Sequence, residues 1–509
     1  MNQLKLGASL NYIIIFLNIL VGLFYTPYML RMMGQSEYGL YALVASVISY
    51  LTILDLGLGN ALIRYTAKFR VEKSTKEQFE MFGMFLIVYV IIGIISLLGG
   101  LVLYYNVDNI FGETMTFVEL AHARIMLLIM ILNLAFTFPM SIFGNIMSAY
   151  ERFVFPKTIN LIRIILNTVL MVTLLHFGYK AIAMVVVQTV FNVISLILNY
   201  IYCKRMLHVK IYFGHFNFVF FKEIAIYSFW IFLNVIMDKI YWSTGQFVLG
   251  AVAGTIAISV FAVAIQLQGM YMQFSTAISS VFLPKITEME TLHDSSNEIS
   301  NLFLRIGRLQ NVIMAFILFG FAVFGKKFVL LWAGPEYLDS YYITLLFFVA
   351  LYVPLIQNIG ITILQARNQL KFRSILYISI SIISLIAQYY FSKFWGGIGC
   401  AIAIACALIL GNGVILNIYY HVKQKIEIIQ FWKEILLMDL IPILVSLVAI
   451  FILNFCSIYS WFQLGVAIFA YCAFYIPLFY FLSMNENERI LFYRPFRLHI
   501  LSRILSSNK

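Results

Sequence analysis

The chain has 509 residues, of which 62% are hydrophobic, 17% aromatic and only 11% charged. A soluble globular chain carries about 25% charged residues, so this composition excludes a soluble enzyme, a disordered chain and a disulfide-stapled secreted fold. The net charge of +12, from 34 Lys and Arg against 22 Asp and Glu, would point to nucleic acid in a soluble protein. In an all-α polytopic membrane protein, the fold class expected here, the same excess holds loops on the cytoplasmic side.

A membrane-crossing helix needs about 20 mostly apolar residues. In chain order the pattern predicts about 14 transmembrane helices: 10–31, 38–60, 82–105, 123–149, 157–176, 180–203, 222–249, 254–283, 308–332, 340–365, 373–392, 397–420, 436–456 and 462–483. The first is followed by Arg31-Met32-Met33-Gly34 with no small-residue cleavage pattern, so it is expected to stay as a helix. With a cytoplasmic N-terminus, only Arg31, Lys180, Lys326, Lys327 and Lys393 fall on the outer side. Arg124, Arg163 and Lys239 fall inside spans, and the remaining Lys and Arg are cytoplasmic. This asymmetry places both termini in the cytoplasm. The longest cytoplasmic pieces are 61–81, 204–221, 284–307 and the tail after Ser483. In that tail Leu498, Leu501 and Leu505 share one helical face of a basic segment, which suits the headgroup plane.

Ile15-Phe16-Leu17-Asn18-Ile19 in the first span is echoed by Ile231-Phe232-Leu233-Asn234-Val235 in the seventh. A duplicated architecture then gives two pseudo-symmetric six-helix bundles, 1–203 and 222–420, joined by a cytoplasmic linker at 204–221. Transmembrane helices 13 and 14 (421–483) and a basic amphipathic cytoplasmic tail (484–509) complete the chain.

A charge at mid-bilayer costs about 2.5–3.5 kcal/mol on insertion scales. Asp238 and Lys239 lie about 24 Å along span seven from Lys222, too deep to reach an interface easily. Either they face a wet cavity or they pair with a neighbouring helix. Arg124, near the outer start of span four, and Arg163, about 9 Å past Lys157, fit interfacial anchoring or a ligand site. Asp55, in Leu54-Asp55-Leu56-Gly57-Leu58-Gly59-Asn60, suits helix packing, a pair with Arg64, or ion coupling. Were the chain a transporter, as the resemblance named below implies, Asp55 and Asp238 would be its ion-coupling candidates. The five cysteines contain no CxxC pair, so neither a metal site nor a disulfide is expected. HExxH, P-loop and GxSxG patterns are missing, so no enzyme is expected and no cofactor beyond coupling to H+ or Na+.

Three stretches carry a family resemblance. Pro27-Tyr28-Met29-Leu30-Arg31-Met32-Met33-Gly34-Gln35-Ser36-Glu37-Tyr38-Gly39-Leu40-Tyr41 resembles the first loop of Wzx-type polysaccharide exporters. Leu54 to Tyr65 resembles the end of their second helix, and Val281-Phe282-Leu283-Pro284-Lys285-Ile286 the end of their eighth. The family is the oligosaccharide flippase branch of the multidrug/oligosaccharidyl-lipid/polysaccharide (MOP) superfamily. The resemblance implies a multi-pass protein of the bacterial cytoplasmic membrane that flips a polyprenyl-pyrophosphate-linked oligosaccharide from inner to outer leaflet. Transport would run by alternating access through a cationic cleft. It implies membrane lipids and other polysaccharide assembly proteins as partners, and no nucleic acid. In the shared motifs the substrate-binding cations would be Arg31, Arg64 and Lys285; Lys239, Arg124 and Arg163 fit the general idea of a cationic cavity. No charge lies between Lys5 and Arg31, unlike the arginine-richer first helix of lipid II flippases. The alternatives are a cation-coupled multidrug exporter of the same superfamily, a membrane-embedded polymerase or ligase, and a non-transporting scaffold.

Overall fold

The computed structural model describes residues 3–214, 218–279, 282, 286, 289, 296–367, 369–455, 458–486, 488 and 489. Every regular element among them is helical. Eleven helical stretches among the described residues are long and apolar enough to cross a membrane, and two of these run on for 63 residues (Ser9–Val71) and 53 residues (Leu370–Val422). The chain divides into two compact units. One comprises residues 1–266 with 377–403, the other 267–376 with 404–509.

The first unit opens with α1 (Gln3–Leu51), 49 residues long. Kept straight it would run about 74 Å at 1.5 Å per residue, more than twice a hydrocarbon core of roughly 30 Å. It breaks at Gly34, whose φ of 79° and ψ of 169° lie where only glycine sits without strain. A 3-10 turn at Thr52–Asp55 leads to α2 (Leu58–Val71), followed by α3 (Thr75–Tyr105) and the short α4 (Val107–Phe111). Next comes α5 (Phe117–Ala149), which starts on a capping box: the Thr116 hydroxyl accepts from the Glu119 backbone N–H, and the Glu119 carboxylate accepts from that of Thr116. The unit continues through α6 (Val154–His176), α7 (Ala181–Arg205), α8 (Phe218–Trp242), α9 (Thr244–Val252) and the first half of α10 (Gly254–Ser279).

Helix α5 packs against α3 and α7, with Phe82, Phe85, Tyr89, Ile131, Ile142 and Ile146 buried. Pro139 lies inside α5 and cannot donate to the carbonyl of Ala135 four residues earlier. That oxygen faces Gly93 of α3 so closely that a Cβ there would lie 2.8 Å from it. The glycine therefore sets the distance between the two helices, as small residues do at membrane helix contacts.

The second unit contains the end of α10, α11 (Ser296–Trp332), α12 (Asp339–Ile356) and α13 (Ile359–Ala366). It also holds the ends of α14 (Leu370–Leu408), then α15 (Leu416–Val422), α16 (Ile428–Leu453) and α17 (Trp461–Leu478). Within the cytoplasmic piece expected at 284–307, helix α11 begins at Ser296, twelve residues before the expected span. Ile299, Phe303 and Ile306 are all buried, a helical repeat masked in the sequence by the interleaved polar residues. The Phe303 ring meets Tyr420 and Phe431 edge-on, with centroids 5.8 and 5.1 Å away. The predicted amphipathic tail at Arg494 to Leu505 lies outside the described residues.

Arg308 fastens this unit. Its guanidinium grips Glu488 with two bonds of 2.6 and 2.9 Å, reaches Glu434 of α16 at 3.3 Å, and donates to the Ser483 carbonyl at 3.3 Å. Arg308 and Glu488 are both buried. The outside is the reverse of a soluble protein: an apolar groove of about 760 Å³ runs along α16 and α17, lined by Leu444, Val448, Phe462 and Phe474. Contiguous apolar surface of this kind suits hydrocarbon rather than water.

Gly93→Val forces a side chain onto a backbone oxygen. It is expected to lower thermal stability in detergent by about 1–3 kcal/mol, whereas Gly99→Ala, whose nearest neighbour is 3.8 Å away, should leave it unchanged. Arg308→Met strands a buried carboxylate, with an expected loss of about 3–5 kcal/mol. A denaturation series read by the intrinsic aromatic fluorescence would measure both.

Candidate functional site

Three helices of the first unit each carry two polar residues one turn apart. They are Asn133 and Thr137 on α5, Arg163 and Asn167 on α6, and Gln188 and Asn192 on α7. Residues four apart share a helix face, so each helix offers a polar pair to one side near its middle. Helix α5 contacts α7, α7 contacts α6, and α1 contacts all three. The polar pairs meet with Ile48 of α1 and Thr52 of the 3-10 turn around a cavity of about 330 Å³.

Asn133 lies at the centre of α5, sixteen residues from either end. Arg163 is nine residues beyond Val154, about 14 Å along α6. Asn192 is likewise near the middle of α7. The cavity therefore opens at the depth where hydrocarbon would be most hostile to a guanidinium.

The walls are held by their own hydrogen bonds. The Asn192 amide donates at 2.9 Å both to Asn133 Oδ1 and to Thr137 Oγ1. Thr137 returns its hydroxyl hydrogen to the Asn133 carbonyl at 2.7 Å. Gln188 accepts from the Tyr41 hydroxyl of α1 at 3.2 Å. Arg163 Nη2 donates to Asn160 Oδ1 at 2.8 Å. Asn167 Oδ1 is buried without a hydrogen-bond partner, an acceptor ready for a hydroxyl. No carboxylate lines the cavity among the described residues. A space with one fixed cation, several amides and a buried acceptor can take an oxyanion and sugar-like hydroxyls, but gives no counter-charge to a cationic guest.

Arg163 is the one described candidate cation that lines this cavity. Arg31 is exposed three residues before the Gly34 break, and Arg64 is exposed on α2. Arg124, in the second turn of α5, is half-buried and ion-paired with Asp108 of α4. Lys239 is half-buried three residues before the end of α8 near Ser243, whose N–H donates to the Lys239 carbonyl at 2.9 Å. Asp55 is half-buried at the end of the 3-10 turn, beside the backbone N–H groups of Gly57 and Gly59 and the Tyr89 hydroxyl, where the start of α2 favours an anion. Lys285 and the side chain of Asp238 lie outside the described residues. Sequence reasoning missed the amide pairs. The signal was there, as three polar i, i+4 repeats inside otherwise apolar spans.

The sequence pattern of a family described as "Polysaccharide biosynthesis protein" matches residues 28–342. No curated protein sequence matches the chain. Among solved structures, lipid II flippase MurJ in an inward closed conformation is similar with a TM-score of 0.72 at 17% identity, covering 97% of this chain and 99% of that one. An inward-facing multidrug resistance MATE family transporter of the MOP superfamily gives 0.53 at 14% identity, over 82% and 99%. A MOP superfamily transporter from Pyrococcus furiosus, described as having a binding pocket of reverse polarity, gives 0.54 at 14% identity, over 84% and 94%. At these identities the likeness shows the fold alone.

Proposed function

Because the chain belongs to the polysaccharide biosynthesis protein family and has the fold of MOP superfamily transporters, we propose that it flips a polyprenyl-pyrophosphate-linked oligosaccharide across the bacterial cytoplasmic membrane. Both termini would lie in the cytoplasm and the chain would cross about fourteen times, in line with the asymmetry of its Lys and Arg. The two six-helix bundles and the appended pair of helices belong to the same reading.

The observation that carries it is the mid-membrane cavity with Arg163 and the amides of α5, α6 and α7. A sugar-pyrophosphate head cannot cross hydrocarbon unaided, because each polar group would lose water without replacement. Arg163 would replace hydration at a phosphate, since a guanidinium matches a pair of phosphate oxygens. Asn133, Asn167, Gln188 and Asn192 would replace it at hydroxyls. With water occupying roughly 30 Å³ in the liquid, the cavity holds about eleven waters' worth of guest. That is room enough for a phosphate or a sugar ring. The absence of a lining carboxylate weighs against a cationic drug as substrate. The family and the solved relatives are transporters or flippases, which are not enzymes, so the machine would bind and release without chemistry. Asp55 or Asp238 would couple transport to a gradient of H+ or Na+, which would supply direction.

Deleting the gene should leave the lipid-linked intermediate on the inner face, as read by its accessibility to an outer-face glycosidase in spheroplasts. Unimpaired outward delivery in the deletion strain would overturn the proposal. In reconstituted vesicles Arg163→Gln should slow flipping about tenfold to a hundredfold, the loss of one charged hydrogen bond of about 1.5–3 kcal/mol. Arg163→Lys should recover part of the rate, and Arg124→Gln should leave it near wild type.

A further inference from the structure

A second buried polar cluster lies in the other unit. Asp439, near the middle of α16, is 5% exposed, and Asn311 of α11 is fully buried. The Asn311 amide nitrogen donates to Asp439 Oδ1 at 2.8 Å. The Tyr352 hydroxyl of α12 lies 2.6 Å from Asp439 Oδ2 and in hydrogen-bond contact with Asn311 Oδ1. The three side chains close a ring of three contacts joining three helices.

Three contacts need three hydrogens. Asn311 fills one contact through its amide, and Tyr352 has a single hydroxyl hydrogen to fill a second. With Asp439 ionised, the third contact brings two oxygens together with nothing between them. With Asp439 protonated the ring closes: the acid donates to Tyr352, Tyr352 donates to Asn311, and Asn311 donates to Asp439. Turning the Asn311 amide over does not alter the count. Its oxygen would then face Asp439 Oδ1, and the carboxyl would still have to supply the hydrogen, with the ring running the other way.

We propose that Asp439, Asn311 and Tyr352 form a proton-binding site in the second unit. Closing the ring takes one proton from water onto the carboxyl, and opening it returns that proton and leaves a carboxylate. Among the described residues the surroundings offer no free cation to hold such a carboxylate. The groups facing Asp439 are Tyr271 of α10, Tyr352 of α12 and Tyr475 of α17. The cation on α11 one turn away, Arg308, is already engaged by Glu434 and Glu488. An ionised Asp439 would be a buried charge without a counter-charge, which costs several kcal/mol. The seam between α16 and α11 would therefore stay shut while the proton is bound and loosen when it leaves. The proposal does not depend on what the protein transports.

Infrared difference spectroscopy on the full-length protein in lipid nanodiscs at neutral pH tests it. The carbonyl stretch of a protonated carboxylic acid should be present in the wild type and lost in Asp439→Asn. Tyr352→Phe keeps the carboxyl but removes one partner. It should shift that stretch, so the test survives if Asp439→Asn does not fold. An acid-carbonyl region identical in wild type and both variants would overturn the proposal. So would a carboxylate signal at Asp439 that responds to added sodium, which would make the ring a cation site instead.

Discussion

Hydrocarbon supplies no hydrogen bonds, and this constraint organises the molecule. Every donor and acceptor placed at depth has to find a partner within the chain. Helices meet the demand for the backbone, which is why the described residues hold helices and no strands. The exceptions are informative. Where Pro139 withdraws a donor, the freed carbonyl is covered by close approach of α3 at Gly93. Where Gly34 breaks α1, the residues around it include the exposed Arg31 and Met32. Polar side chains follow the same rule in part: Asn133, Thr137 and Asn192 satisfy one another, as do Asn311, Tyr352 and Asp439, while Asn167 Oδ1 is left open.

The two units answer the constraint differently. In the first, the amides leave a space, one buried acceptor and a guanidinium that still has bonds to give. That arrangement favours exchange with a guest. In the second, the polar groups are closed on themselves, in the ring at Asp439 and in the grip of Glu434 and Glu488 on Arg308. A closed network resists change until a proton or an ion pair is altered. One unit is thus built to receive polar matter and the other to hold its own shape.

The fold class was legible in the sequence because composition and hydropathy report directly on the solvent. The helical nature of 296–307 was not, because a helix whose buried large apolar side chains are Ile299, Phe303 and Ile306 has the average composition of a loop, and only the spacing betrays it. The same limit hid part of the site. Charges stand out in an apolar sequence, so Arg163 drew notice, while Asn133, Asn167 and Asn192 did not. Depth along the chain also says nothing about facing. Arg124 and Arg163 read alike in sequence, yet one is neutralised by Asp108 and the other borders a cavity. Asp439 was overlooked because its partners come from helices more than eighty residues away, and no local pattern announces them.

The three polar walls of the cavity in the first unit belong to three different helices, each carrying a pair of polar side chains one turn apart. A mutation in one wall leaves the other two standing, and the helix that carries it keeps the apolar surface that anchors it. Such a lining can drift in its preference by single codons, without a period of misfolding in between. The preference of the cavity could be retuned gradually, swapping an amide for a hydroxyl on one helix at a time.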